Sequence, residues 1–527
     1  MSSEAVYQNI PRHRRQALHR QVAEAIEALY RDSLDEYHAQ LAHHYDQGGD
    51  AEKAVAYLFQ AGEKANHSYA NEEAITHLSR GLELLKTLPE NADRDQRELD
   101  LLVALGVPLV LTRGHAAPEV EQTYARARAL SEQTTDTRQR FHVLMGLRRF
   151  YLHRGEPGTA HKLGEQLLAL AQRTRDPVQL SRAHMMHGET LYSLGEFAPA
   201  RAHCEQGLAF YDPQQCRSHP FLYGNDTGIG CQIVHAQASW HLGYPDQAAK
   251  EADKLLALAR ELSHPFTLVY ALHFTAIVRQ LRREAQAVQE QEEAVVRISQ
   301  ERGFALYLAW GTALRGWALA AQGRADEGIE QMQMGIAARR AMGGTTLLPH
   351  MLASLAEAYG QAGQVGHACS VTKVGHACSV TKVGHACSVT EVGHACSVTE
   401  VGHACSVTKA LSQIDEALAL VELSGERFWE AELHRLKGEL LLKRGTEEAE
   451  AEACFQRAIE VARGQRVRSW ELRAATSLSR GHRFRCRQGQ GKRAEAREIL
   501  QEIYGWFSEG FDTADLQEAR KLLGTLA

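Results

Sequence analysis

Residues 187–207 read HGETLYSLGEFAPARAHCEQG, and this stretch decides the fold. An apolar segment ends in Tyr192 and Leu194, Gly195 follows, and five residues later the small Ala200 opens a second amphipathic segment. Glycine accepts the left-handed backbone that closes a helix, and a small side chain lets two antiparallel helices approach closely. The phrase therefore spells a helical hairpin.

The same phrase recurs along the chain. It appears as LAHHYDQGGDAEKAVAYLFQA with Gly49 and Ala54, as LRRFYLHRGEPGTA with Gly155 and Ala160, and as HAQASWHLGYPDQA with Gly243 and Ala248. It returns as RGWALAAQGRADEG with Gly323 and Gly328, LAEAYGQAG with Gly363, KGELLLKRG with Gly445, and GQGKRAEA with Gly491 and Ala496. The spacings are 40 residues from Gly155 to Gly195, 48 to Gly243, 80 to Gly323 and 40 to Gly363, with Ala287 taken to mark the middle of the double interval. The beat is longer than the 34-residue tetratricopeptide consensus but keeps its grammar. Helix formers dominate elsewhere, so the expectation is an all-α, tetratricopeptide-like α-solenoid of stacked hairpins with a period of about 40 residues.

Between Gln364 and Ala410 the unit VGHACSVT[KE] is written five times. From Gly363 to Gly445 is 82 residues where one period is expected, and Ala410 follows Gly363 by 47 residues instead of five. Both measures give an excess of 42, so the array reads as an insertion in the tight turn of one hairpin, the place where insertions are tolerated. Its near-identical copies point to recent duplication, and its Gly, Val, Ser and Thr content to a flexible segment. The alternative is a metal-binding or metal-responsive ladder, since extended copies would set His367 and Cys369 on one face. The unit lacks CxxC or HxxxH spacing and a carboxylate shell, and without Asp it is no calcium β-roll. The expected organisation is an N-terminal helix over 1–33, solenoid over 34–364, the array over 365–409 and further hairpins over 410–527.

With 44% hydrophobic and 24% charged residues and a net charge of -6, the 527-residue chain has no basic excess favouring nucleic acid or an anionic membrane. Its longest apolar run, Leu101 to Leu111, is too short to span a membrane and holds Pro108, and the N-terminus has no signal-peptide core, so the cytoplasm is expected. The five cysteines outside the array form no CxxC pair and are read as reduced.

Other constellations lean to structure. His184, His187, His203 and Cys204 could meet across one hairpin, with core packing the simpler reading. GQGKR at Gly489–Arg493 lacks the glycine and the Ser or Thr of a phosphate loop, and GWFSEG at Gly505–Gly510 is one residue too long for a nucleophile elbow. SLSRGHRFRCRQGQGK, from Ser477, breaks the helical pattern at Gly481 and reads as a locally altered, solvated helix or a basic contact patch. Trp240, Trp310, Trp317, Trp429 and Trp470 are mostly core, some of them facing an inner groove. No catalytic, cofactor or metal residue is assigned.

The chain resembles the tetratricopeptide-like C-terminal region of large bacterial signalling proteins that join a nucleotide cyclase or DNA-binding domain to an ATPase module, and the helical tails of large ATP-binding transcriptional regulators. The resemblance is carried by RHRRQALHRQVAEAIEALY (Arg12–Tyr30), AHHYDQGGDAEKAVAYLFQAGEKA, ARAHCEQGLAFYDPQQ, FWEAELHRLKGELLL and EIYGWFSEGFDTADLQEARKLL. It implies that Arg12–Tyr30 is the last helix leading out of an ATPase part and that ATPase and cyclase domains lie outside this chain. It also implies a tail that senses or holds a partner. The function expected is a non-enzymatic scaffold or regulator binding a protein or peptide in the solenoid groove, without cofactor, nucleic acid or membrane. The competing readings are the metal-responsive array and a fragment with no present role.

Overall fold

Side-chain caps and prolines punctuate the chain. The carboxylates of Asp50, Asp136, Asp176 and Asp226 each accept backbone N–H bonds from the first turn of the helix that follows, satisfying donors that have no intrahelical partner. Pro118, Pro157, Pro177, Pro245 and Pro265 open helices at the position where a missing N–H costs nothing. Gly49 (φ 75°) and Gly155 (φ 93°) end helices in the left-handed conformation.

The computed structural model describes residues 7, 9–114, 116–132, 136–214, 225–365, 398–445, 448–484 and 490–526. Among them lie 23 α-helices and no strand. In chain order these are α1 (Arg12–Leu29), α2 (His38–Gly48), α3 (Ala51–His67), α4 (Asn71–Leu85), α5 (Ala92–Arg113), α6 (Pro118–Ser131), α7 (Thr137–Arg154) and α8 (Pro157–Thr174). There follow α9 (Pro177–Ser193), α10 (Phe197–Ala209), α11 (Thr227–His241), α12 (Pro245–Glu261), α13 (Pro265–Leu281), α14 (Ala285–Arg302), α15 (Ala305–Ala321) and α16 (Ala325–Ala341). The last are α17 (Leu348–Val365), α18 (Val398–Ser424), α19 (Glu430–Arg444), α20 (Glu448–Gly464), α21 (Arg468–Phe484), α22 (Gln490–Trp506) and α23 (Ala514–Leu526). The fold is an all-α solenoid of tetratricopeptide-like hairpins.

From α5 onward the helices pair as antiparallel hairpins, and first helices also pack on first helices. The first helices α9, α11, α13 and α15 are buried around most of their circumference. The second helices α8, α12 and α14 bury one stripe and leave the rest exposed. First helices therefore line the inside and second helices the outside.

The superhelix closes on itself. Helix α5 packs against α15, and α11 against α21, each pair five hairpins apart. Here the starts of later first helices meet the ends of earlier ones. The N–H of Thr345 donates to the His153 carbonyl at 3.2 Å and that of Arg427 to the Ser193 carbonyl at 2.8 Å. The Ser469 hydroxyl donates to the Trp240 carbonyl at 2.5 Å, and the Arg473 guanidinium to the Leu281 carbonyl. C-terminal carbonyls of α7, α9, α11 and α13 are thus satisfied by the next turn. Beside this seam Arg435 pairs with Glu432 at 2.7 Å and Glu439 at 2.6 Å, and Arg473 with Asp515 at 2.7 Å.

Four details differ from expectation, the first being that α17 runs on to Val365 through Gly363, which was expected to close it. The middle of the double interval is marked by Arg283 (φ 62°) and the buried Val288, five residues on, not by Ala287. Arg283 takes the glycine's conformation and its guanidinium lies 3.2 Å from Asp515. Helix α18 begins at Val398, so the fifth array copy is helical instead of part of a loop; its Val407 is buried and continues the stripe of Ala410, Leu411 and Ile414. Helix α17 packs along α18. Residues 366–397, where the other copies fall, lie outside the described residues. Helix α21 runs through Gly481 without a break, because Trp470, Leu472, Ala474, Ala475 and Leu478 hold its apolar stripe in the core. GWFSEG itself is a docking turn. The Glu509 carboxylate accepts the N–H groups of Asp246 and Gln247 at 2.9 and 3.0 Å, and Asp246 accepts the Gly510 N–H at 2.8 Å.

Candidate functional site

Turn closure leaves one inner face hollow. A cavity of about 90 Å³ lies between α7, α9, α11, α13 and α15, roofed by Thr346, Leu347 and Phe428 from the following turn. Most of its wall is apolar, including Ile233, Val234, Phe266, Ile277 and Tyr307. Helical periodicity places these residues together, since Ile233, Val234 and Gln237 on α11, and Phe266, Tyr270, Phe274 and Ile277 on α13, share one face of each helix.

The polar end is built by α7 and α9. Arg148, fully buried, donates to Glu189 at 2.7 Å and through Nε to Thr190 at 3.0 Å. The Tyr270 hydroxyl donates to the other Glu189 oxygen at 2.9 Å. Burial disfavours the Glu189 carboxylate, but Arg148 and Arg149 outweigh it and its pKa falls below the usual range. Burial above all holds Arg148 below the usual guanidinium range. Arg149 donates to the Asn225 amide oxygen at 2.8 Å, which also accepts from Arg182 at 2.7 Å. Burial, then Glu426 and Glu189 respectively, raise the Tyr192 and Tyr270 pKa values, so both hydroxyls stay protonated.

Trp240, Trp310, Trp317, Trp429 and Trp470 are all buried, whereas the sixth tryptophan, Trp506, is exposed. Trp310 lines the cavity, while Trp240, Trp470 and Trp429 interlock across the seam with ring centroids 4.9 and 5.1 Å apart. The histidine constellation does assemble: His184 and His203 face each other with Nδ1 atoms 3.0 Å apart, and His187 packs 4.6 Å from His203. His161, on the neighbouring hairpin, adds a ring 4.9 Å from His187. Burial and mutual repulsion push His184 and His187 down to about 4. Cys204 faces Gly188, its thiol pushed well up by burial and by Cys231. Among the described residues no group of three or more His, Cys, Asp or Glu is disposed to hold a metal ion. The ladder read into His367 and Cys369 lies outside them. Among the described residues no helix is long and apolar enough to cross a membrane.

No protein-family model matches the chain. A curated, uncharacterized protein of Rhizobium meliloti (strain 1021) is 22% identical over 488 residues, covering 90% of this chain and 42% of that protein. The chain thus spans less than half the length of the curated relative it matches. A Rap protein solved in complex with competence and sporulation factor aligns at 11% identity and a TM-score of 0.43, over 75% of this chain and 100% of that one. A Rap conjugation gene regulator in complex with the Phr* peptide aligns at 11% and 0.42, over 78% and 95%. The Cut9-Hcn1 hetero-tetramer of the APC/C gives 12% and 0.42, over 100% and 96%. At these identities and scores the likenesses add nothing to the architecture already described.

Proposed function

We propose that the chain is a non-enzymatic interaction module that holds a protein or peptide partner on the inner face of its superhelix, and that it scaffolds or regulates a signalling ATPase or nucleotide cyclase in the bacterial cytoplasm. The observation that carries the first half is the cavity, an apolar recess with a charged end on the face that first helices share. The second half rests on the sequence resemblance. In this reading 34–365 and 398–527 form one binding body, 1–33 is the junction to the signalling part, and 366–397, the rest of the array, is an insertion without a role in binding.

Affinity capture from the native cell extract, with bound proteins identified by mass, tests it. The wild-type chain is expected to retain an ATPase- or cyclase-containing partner. Val234→Phe, which fills the cavity at a folding cost of about 1–3 kcal/mol, is expected to lose it. Equal capture by both chains, or none by either, overturns the reading.

A further inference from the structure

We propose that the outer face of α1 pairs with α1 of a second copy of the chain, antiparallel and about a two-fold axis, so that two solenoids join at their N-terminal ends. What the inner cavity holds has no bearing on this. The end helix of a stacked array ordinarily turns an apolar side inward and a polar side to water. Helix α23 does so at one end, burying Leu516, Ala519, Leu522 and Leu526 and exposing Gln517, Arg520 and Lys521. Helix α1, at the other end, does not. Ala23 is its buried residue, and beside it Arg20 donates to the Gly48 carbonyl at 2.7 Å while Glu27 accepts from Lys53 at 2.9 Å. These contacts fix the side that α1 turns to α2 and α3. The opposite side, at 100° per residue, carries Leu18, Val22, Ala25 and Leu29, all of them exposed, Leu29 by 76%.

Two observations name the occupant. The first is spacing. From Leu18 the stripe steps by four, three and four residues, which reads the same backwards. Under a two-fold axis midway between Ala23 and Glu24, Leu18 meets the second copy's Leu29 and Val22 meets its Ala25, large against small. Such self-complementarity is what an isologous interface needs. The second is charge. Residues 12–15 hold three arginines and no carboxylate, whereas residues 31–36 hold Asp32, Asp35 and Glu36 against Arg31 alone. The same axis sets Arg14 of each copy beside Asp32 of the other, and the basic start of each helix beside the acidic turn that follows its partner. A parallel pair would set like ends together. An anionic membrane would meet the three carboxylates along with the arginines, and an unrelated helix has no reason to match the reversed spacing. One pair of 18-residue helices lies at the low end of interface sizes, so micromolar association is expected.

Sedimentation equilibrium of the intact chain in reducing buffer tests this. The wild type is expected to pass from monomer to dimer in the micromolar range. Val22→Glu, at an exposed position, is expected to weaken association by at least about tenfold with the melting temperature unchanged. Arg14→Glu should weaken it several-fold, and Asp32→Arg added to Arg14→Glu should restore it, because these two residues meet only across the antiparallel pair. A chain that stays monomeric up to about 200 μM overturns the proposal, and if phosphatidylserine vesicles pellet that monomer, the stripe belongs to a membrane instead. A dimer untouched by Val22→Glu is joined elsewhere on the surface and overturns it too. A dimer that Val22→Glu breaks and the double charge reversal fails to restore overturns the antiparallel register.

Discussion

Glu426 sits where the second turn closes over the first, its carboxylate accepting the Leu347 N–H at 3.0 Å while burial pushes its pKa up to about 7. A carboxyl raised in the fold favours the folded state below its ordinary pKa of 4.5 and loses that advantage as pH climbs through about 7. Buried imidazoles act at the other end. His241 and His350 are pushed down to about 3 and His264 to about 4, chiefly by burial, from an ordinary 6.5. The unfolded chain takes up those protons first, so stability falls as pH drops from 6.5 toward 3. Urea unfolding followed by circular dichroism should therefore show stability climbing from acid pH to a plateau above about pH 7, because the three imidazoles outweigh the one carboxyl, and Glu426→Gln should steepen that climb by an effect on the order of 2 kcal/mol. Gly243 makes a second case. Its φ is 97° and a Cβ there would run into the Trp506 ring. Gly243→Ala is expected to cost about 2 kcal/mol, read from the same denaturation curves; a change below a few tenths would mean that Trp506 moves aside freely.

At the scale of the element, hairpins were legible because their signals are local. A closing glycine, a small residue five places on and an apolar stripe all sit within one reading frame, and Gly155, Gly195 and Gly323 end helices as their spacing implies. Arg283 was missed because its left-handed backbone is compensated by Asp515, a partner 232 residues away that no local pattern announces. The extra turns of α18 were missed for a different reason. Val407 belongs to a repeated unit of low apolar content, and only its phase with Ala410, Leu411 and Ile414 brings it into the core. Since α17 and α18 pack directly on each other, the hairpin does not need residues 366–397 to define its partners. Deleting them shortens the connection between α17 and α18, and the cost of closing a connection grows only slowly with its length. The shortened chain is expected to keep its helical signal, with an unfolding midpoint equal to or slightly above that of the full chain. A large loss of helicity would show that the array is integral to the fold.

For the whole molecule the seam between turns matters most, and the cavity exists only because of it. Its roof comes from Thr346, Leu347 and Phe428 and its floor from helices of the turn before, so a periodic reading, which orders neighbours along the chain, could foresee the aromatic inner face but not the enclosed site. An open solenoid couples each repeat to its neighbours alone, and its parts unfold nearly independently. Here Thr345 meets Arg154 and Ser469 meets Trp240, 191 and 229 residues apart, and Trp470 interlocks with Trp240 across the same seam. Such contacts tie the turns into one cooperative unit. Trp470→Ala should then cost about 3–5 kcal/mol, and native-state hydrogen exchange should show that loss in α11 of the first turn as fully as in α21, which carries the substitution. If protection drops in α19 to α23 while α11 keeps its own, the turns merely touch, and ligand held in the first turn would go unnoticed by the second. If both drop together, occupancy of the cavity is felt across the seam, because filling the space under Phe428 and Leu347 stabilises the two turns as one body.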